Sequence, residues 1–288
     1  MKRIMTVALA AGAGLLLGGC RWQQASVTRT DLLTYPHQSG SGLNVEVANG
    51  SIDVTRGGEA VSIEAKIRAV TQARLDATQV VATRQSDGTL NIRINWPEGG
   101  RKGNEGCSLA IVMPDAGEIE LETSNGALKV EGVGRDVTLH TSNGAISVAG
   151  VSGGVQARTS NGRVVVSDVP GAVLAESSNG AMELVGLGGS VRGSTSNGAV
   201  TVRLSEESAG PVDVHSSNGA VRVEVGAGFQ GELDASTSNG GLRAEGFEGA
   251  KSVEIGKRWA KICFEGEGTS KIRTSNGSVT LLRRGAPG

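Results

Sequence analysis

One short phrase constrains this chain more than any other feature. Thr-Ser-Asn-Gly, with Ser in first place at Ser177 and Ser216, ends in Asn125-Gly126, Asn143-Gly144, Asn161-Gly162, Asn179-Gly180, Asn197-Gly198, Asn218-Gly219, Asn239-Gly240 and Asn276-Gly277. The asparagines stand 18, 18, 18, 18, 21, 21 and 37 residues apart. A fixed period near 18 residues marks a repeat architecture, in which each unit buries its apolar face only against its neighbours.

Columns appear when the sequence is folded at the asparagine. Leu128, Ile146, Val164, Met182 and Val200 stand three places after it, and Val130, Val148, Val166, Leu184 and Val202 five places after it. Val137, Val155, Val173 and Val191 form a further column twelve places on. The positions between them are mixed Lys, Arg, Glu, Ser and Ala, so each repeat carries two alternating strands. A second corner, with Gly134, Gly153-Gly154, Gly171 or Gly188-Gly189, lies opposite Asn-Gly. The 21-residue repeats place their extra residues near 205–210 and 227–231 and enlarge that corner. The 37-residue gap divides into two further turns, with Val253 and Ile255 in column and Lys257-Arg258 in the place of Asn-Gly. Arg283 and Arg284 then blunt the last sheet edge.

The pattern predicts an all-β fold, a single-stranded parallel β-helix with turns stacked about 4.8 Å apart. Like residues lie over like, and the asparagines form a ladder of side-chain amides along one corner. Gly126, Gly144, Gly162, Gly180, Gly198, Gly219, Gly240 and Gly277 are expected to supply a left-handed backbone there. The Thr or Ser two places before each asparagine points inward, its hydroxyl satisfied within the corner. Asn-Gly is also the strongest signal for a two-residue hairpin, which would give an antiparallel meander instead. A membrane barrel of that kind needs strands of about ten residues and aromatic girdles; aromatics are 2% of this chain.

The chain begins with Met1-Lys2-Arg3, an apolar run from Ile4 to Leu17, and Gly18-Gly19-Cys20. A basic start, a short apolar stretch and a small-residue exit describe a secretory signal peptide over 1–19, and the ending resembles the bacterial lipoprotein signal. Cys20 is then the lipidated N-terminus and the only membrane attachment, an ordinary secretory signal being the alternative. Arg21, in place of an aspartate, favours the outer membrane. The mature chain has 26 basic against 29 acidic side chains, a net charge of −3, which makes no electrostatic case for nucleic acid. Residues 20–42, rich in Ser, Gln and Thr, read as a flexible tether containing His37. Residues 43–106 read as a strand-rich N-terminal cap, with a turn or two of helix at 69–77, and 107–284 as the β-helix proper. The cap begins with a weaker copy of the phrase at Asn49-Gly50.

The segment MPDAGEIELETSNGALKVEGVGRDVTLHTSNGAISV is similar to the bacterial "putative adhesin" β-strand-repeat family, a domain of unknown function. The resemblance covers residues from about 43 to 282. It implies a right-handed, pectate-lyase-like β-helix in an envelope or surface protein, and it brings no catalytic residues to carry over.

Candidate chemistry is sparse. Three places before the asparagines stand His140, Arg158, Glu176, Ser194 and His215, a solvated face with one acid and no pair for acid/base work. His140 and His215 would lie about 19 Å apart, too far to share a metal. No cofactor or metal site is expected. Cys107 and Cys263 would lie about 38 Å apart, so no disulfide is expected. Trp96 and Trp259 read as end-cap packing, and the alanines after the corner (Ala127, Ala145, Ala181, Ala199, Ala220) as a tight corner face. These features point to a lipid-anchored, non-catalytic envelope module with a protein or glycan partner. A polysaccharide-processing enzyme on the solenoid flank is one alternative. A periplasmic sensor or chaperone-like binder is another, marked by an open edge strand or an apolar groove at one end.

Overall fold

The computed structural model describes residues 26–284; the expected signal peptide and Cys20 lie outside them. The chain passes back and forth between two large, mostly parallel sheets, one of twelve strands and one of thirteen. From Glu118 to Val225 each repeat gives one strand to the thirteen-stranded sheet, turns at Asn-Gly, and gives the next to the other. Consecutive repeats pair in parallel and in register. Val137 lies between Ile119 and Val155, Ile146 between Leu128 and Val164, and Asn143 faces Asn125. That parallel pairing excludes the antiparallel meander for these repeats. The molecule is solenoid-like.

The apolar columns explain why the two sheets close on each other. Val137, Leu139, Ile146 and Val148 are at most 1% exposed, as are their counterparts Val164, Val166, Val200 and Val202. Each buried aliphatic side chain stabilises by about 1.5–3 kcal/mol. The core is therefore a narrow aliphatic seam repeated along the axis. Sheet propensity and burial agree at each turn, because β-branched residues fit a pleated, half-buried surface.

The first turn departs from the expected boundaries. Leu43–Asn49 and Ile52–Arg56 pair directly with Glu118–Asn125 and Leu128–Glu131, so the weak phrase at Asn49 is a full turn of the stack. The residues between, 57–117, make the true lid. It includes the strands Val61–Ala69 and Gly106–Met113 and the short helix Gln72–Ala77, whose Thr71 caps the N-terminus. The expected tether is corrected too. Val27–Tyr35 is a nine-residue strand, antiparallel to Val61–Ala69 along its whole length. Its half-buried face mixes Arg29 and Asp31 with Val27, Leu33 and Tyr35, so no clean apolar alternation marks the strand in the sequence. His37 lies just beyond it with a side chain 12% exposed, Nε2 3.1 Å from Asp115 Oδ2.

The C-terminal end holds the largest correction. Ser252–Ile255 and Trp259–Cys263 form an antiparallel hairpin, with Lys257-Arg258 at its turn and the Gly256 N–H donating to the Trp259 carbonyl at 2.8 Å. The hairpin sits against Glu232–Thr237, so the gap is not two further coils. The last strands in sequence, Thr269–Asn276 and Val279–Arg283, are not at the edge. They lie between Val212–Val225 and Glu232–Glu245, one turn back. Arg283 and Arg284 therefore guard no edge. The Arg283 guanidinium lies 4.8 Å from the Phe264 ring centroid, and Arg284 reaches the Leu204 carbonyl.

Candidate functional site: the amide spine and the outer face

The corner phrase is explained by what each residue touches on the turn below. Asn143 Nδ2 donates to Asn125 Oδ1 at 3.0 Å, Asn161 to Asn143 at 2.9 Å, Asn179 to Asn161 at 2.9 Å, and Asn197 to Asn179 at 2.8 Å. The spine continues with Asn218 on Asn197 at 3.0 Å, Asn276 on Asn218 at 2.9 Å and Asn239 on Asn276 at 3.0 Å. At its foot Asn125 donates to Asn49 at 2.7 Å, and Asn49 to the Glu105 carbonyl at 3.2 Å. All eight asparagines stand in one spine, joined by Asn49. The order 218, 276, 239 follows the inserted last turn rather than the sequence.

The hydroxyl two places earlier is buried and donates to the glycine carbonyl of the neighbouring turn. Thr141 Oγ1 reaches Gly126 at 3.1 Å, Thr159 reaches Gly144 at 3.0 Å and Thr274 reaches Gly219 at 2.9 Å. The glycine itself is required for a reason other than the expected one. Among the described residues none of the eight corner glycines has a positive φ, so no left-handed corner exists there. A Cβ on any of them would lie 1.8–2.2 Å from the glycine carbonyl oxygen of the adjoining turn. The corner needs glycine because turns stack that closely. Positive φ belongs to the opposite corner, at Gly132, Gly150 and Gly186, where Asp168 takes the same conformation at +56°.

Beside the spine, the outer face of the thirteen-stranded sheet carries the mixed column. Pairing places His140, Arg158, Glu176, Ser194 and His215 on consecutive strands. Arg158 Nε lies 2.7 Å from Glu176 Oε2, which leaves that acid committed to an ion pair. The two histidines are four strands apart, about 19 Å. Among the described residues no group of three His, Cys, Asp or Glu could hold a metal.

Two shallow grooves run along this face. The larger, about 570 Å³, is floored by Gly154, Ala172 and Ser190 and walled by Thr138, Gln156 and Arg192. The smaller, about 320 Å³, lies among His140, Arg158, Glu176 and Ser178. Small residues at the second corner make the floor; longer ones two places on make the wall. Asp136 at the rim is held below the usual carboxylate range, first by the Gly154 N–H and then by Arg135. Among the described residues every carboxyl that departs from its ordinary pKa is pushed down, and a general acid needs the reverse. Burial pushes the Cys107 thiol up to about 12, which leaves it inert. Cys107 and Cys263 are both free, on strands near opposite ends of the stack.

A profile described as Toastrack DUF4097 matches residues 41–282. The chain belongs to that family. No curated protein matches it. Among solved structures, the Toastrack chain is similar to a putative adhesin from Bacteroides fragilis, at 12% identity and a TM-score of 0.41, with 92% of this chain and all of that one covered. It is also similar to a putative lipid binding protein from Parabacteroides distasonis, at 11% identity and a TM-score of 0.38, covering 89% and 97% of the two chains. A putative adhesin from Parabacteroides distasonis aligns at 9% identity, with a TM-score of 0.33 over 88% and 97%.

Sequence reasoning missed part of this Toastrack structure. The larger groove carries no motif; its only trace is the run of small residues Gly154, Ala172, Ser190. Trp96 packs partly buried against the core, whereas Trp259 is 49% exposed on the C-terminal hairpin and caps nothing. The alanines after the corner are exposed and flank the spine.

Proposed function

We propose that this chain is a lipid-anchored cell-envelope module that binds a partner through the outer face of its thirteen-stranded sheet and performs no chemistry. The winding is read as a right-handed coil of 18 residues per regular turn, and the anchor as Cys20 in the outer membrane. The observation that carries the reading is the larger groove. Its strands have their backbone groups taken up by neighbours on both sides, so recognition falls to side chains. Thr138, Gln156 and Arg192 line a trough of about 570 Å³ with hydroxyl, amide and guanidinium groups. Such a row suits an extended polar chain, either a glycan or a polar protein segment.

The test uses a secreted Cys20→Ser form in a pull-down from envelope extracts beside a glycan array. The Gln156→Ala/Arg192→Ala variant loses the captured partner. Equal capture by both forms removes the groove from the account. Radiolabelled palmitate incorporation and globomycin sensitivity test the anchor, and failure of both removes it.

One observation favours a second reading, that of an end-on binder. Ser252–Ile255 is an open edge strand carrying Val253 at 42% and Ile255 at 50% exposure, the geometry for strand addition by an extended peptide. An Ile255→Lys variant separates the two readings: it reduces capture only if the end is the binding surface.

A further inference from the structure

The final turn, Thr269–Arg283, fills a slot built entirely by residues earlier in the chain. In one sheet the slot is walled by Val212–Asn218 and Glu232–Thr237, in the other by Val221–Val225 and Leu242–Glu245. Inside it Ile272, Val279 and Leu281 are fully buried. Asn276 donates to Asn218 on one side and accepts from Asn239 on the other. The slot therefore stays unfilled until Thr269–Arg283 arrives.

The link into the slot is Glu265–Gly268, four residues exposed to solvent. It leaves Trp259–Cys263 and crosses over Glu232–Thr237. It reverses direction on the way, with φ at +90° for Gly266 and +112° for Gly268. Nothing that Thr269–Arg283 touches in the slot depends on which copy of the chain supplied it.

We propose that the slot is an exchange site for a second copy of this chain, two molecules swapping Thr269–Arg283 reciprocally. Contacts in the slot are the same in cis and in trans. The balance is then set by the effective concentration the hinge imposes against the concentration of other copies. A short flexible link gives an effective concentration of about 1 mM. Dilute chains close on themselves, and crowded ones exchange.

Paired cysteines across the slot wall read this directly. Asp213 and Lys271 are register partners on neighbouring parallel strands, a spacing of about 4.8 Å that a disulfide spans. A full chain carrying both Asp213→Cys and Lys271→Cys closes internally and establishes the geometry. One full chain with Asp213→Cys and another, with a larger tag, carrying Lys271→Cys are then refolded together. Exchanged chains give a covalent heterodimer. Random oxidation of exposed thiols between unswapped monomers is set by a control pair, Asp213→Cys with Arg192→Cys, register partners that both lie outside the exchanged segment. Only exchange raises the Asp213→Cys/Lys271→Cys heterodimer above that control. The expected result is a heterodimer band that rises steeply between about 10 µM and about 1 mM. Gly268→Pro in both chains cannot take a φ of +112°, because proline holds φ near about −65°. It raises the heterodimer at about 10 µM by tenfold or more, since the reversed hinge is lost while the slot is untouched. No heterodimer at any concentration overturns the proposal, and the concentration series decides it alone where the proline variant does not fold.

Discussion

The two ends of the stack are held together by different physics. At the N-terminal end the lid is fastened by side chains. Glu105, fully buried, takes Arg74 at 2.7 and 2.8 Å together with the N–H of Lys102 at 2.8 Å, and so ties the helix to the loop before Gly106–Met113. Arg29 grips Asp31 through two bonds and reaches the carbonyls of Leu75 and Thr78. At the C-terminal end, where Leu242–Glu245 and Ser252–Ile255 remain edge strands, the stack is held by chain order, because the last turn wedges under the one before it. One end depends on a few charges, the other on a whole segment arriving in place. The first should fail with acid and point substitution, the second with damage to stacking.

The largest effect is expected from Gly277→Ala in the inserted turn, where a Cβ would lie 2.1 Å from the Gly219 carbonyl oxygen. Backbone must move on both sides, a loss of about 4 kcal/mol or more in urea unfolding. Gly241, which has open space around its Cβ position, is the matched control at the same end. Gly241→Ala changes stability by less than about 0.5 kcal/mol. Similar losses for both would mean that the last turn is not wedged.

The N-terminal end should respond to pH. Chiefly the Arg74 hydrogen bond lowers Glu105 from 4.5 to about 2. A depressed carboxyl contributes stability above its unfolded pKa and loses it as pH falls through the folded value. The contribution is therefore complete above pH 4.5 and gone by about pH 2, a loss of about 3 kcal/mol. Glu105→Gln should abolish that pH dependence at a cost of about 3 kcal/mol at neutral pH. An unchanged acid limb in Glu105→Gln would place the titration elsewhere.

Between the ends, the spine should be modest. Asn161→Ala removes one bond given and one accepted, at 2.9 Å each, for about 1–2 kcal/mol in thermal or urea unfolding. The smallest effect is a gain. Asp168 holds a φ of +56° where Gly132, Gly150 and Gly186 do the same in other turns, and Asp168→Gly should stabilise by about 1 kcal/mol. A loss would mean that the aspartate side chain has work beyond its backbone strain.

Interactions that are local and periodic were legible in the sequence. Columns such as Val137 over Ile119, and Asn143 over Asn125, follow from a repeat that returns every residue type to the same place. The strand Val27–Tyr35 was less legible, since its pairing with Val61–Ala69 involves no repeat at all. The groove was illegible because it arises from what small residues leave empty.

What the sequence determined alone is the cross-section of the solenoid: two alternating strands, the Asn-Gly corner and the aliphatic seam between the sheets. What only the tertiary structure decided is the sequence of storeys at the C-terminal end, and the reason for glycine in the corner. Each turn carries the same phrase, so any turn is chemically fit to sit beside any other, and pattern alone cannot rank them. That choice falls to the hairpin 252–263 and the hinge Glu265–Gly268, which hold the place open and then lead the chain back into it. The corner glycine, likewise, answers to the carbonyl of a neighbouring turn, a contact that exists only once the turns are stacked.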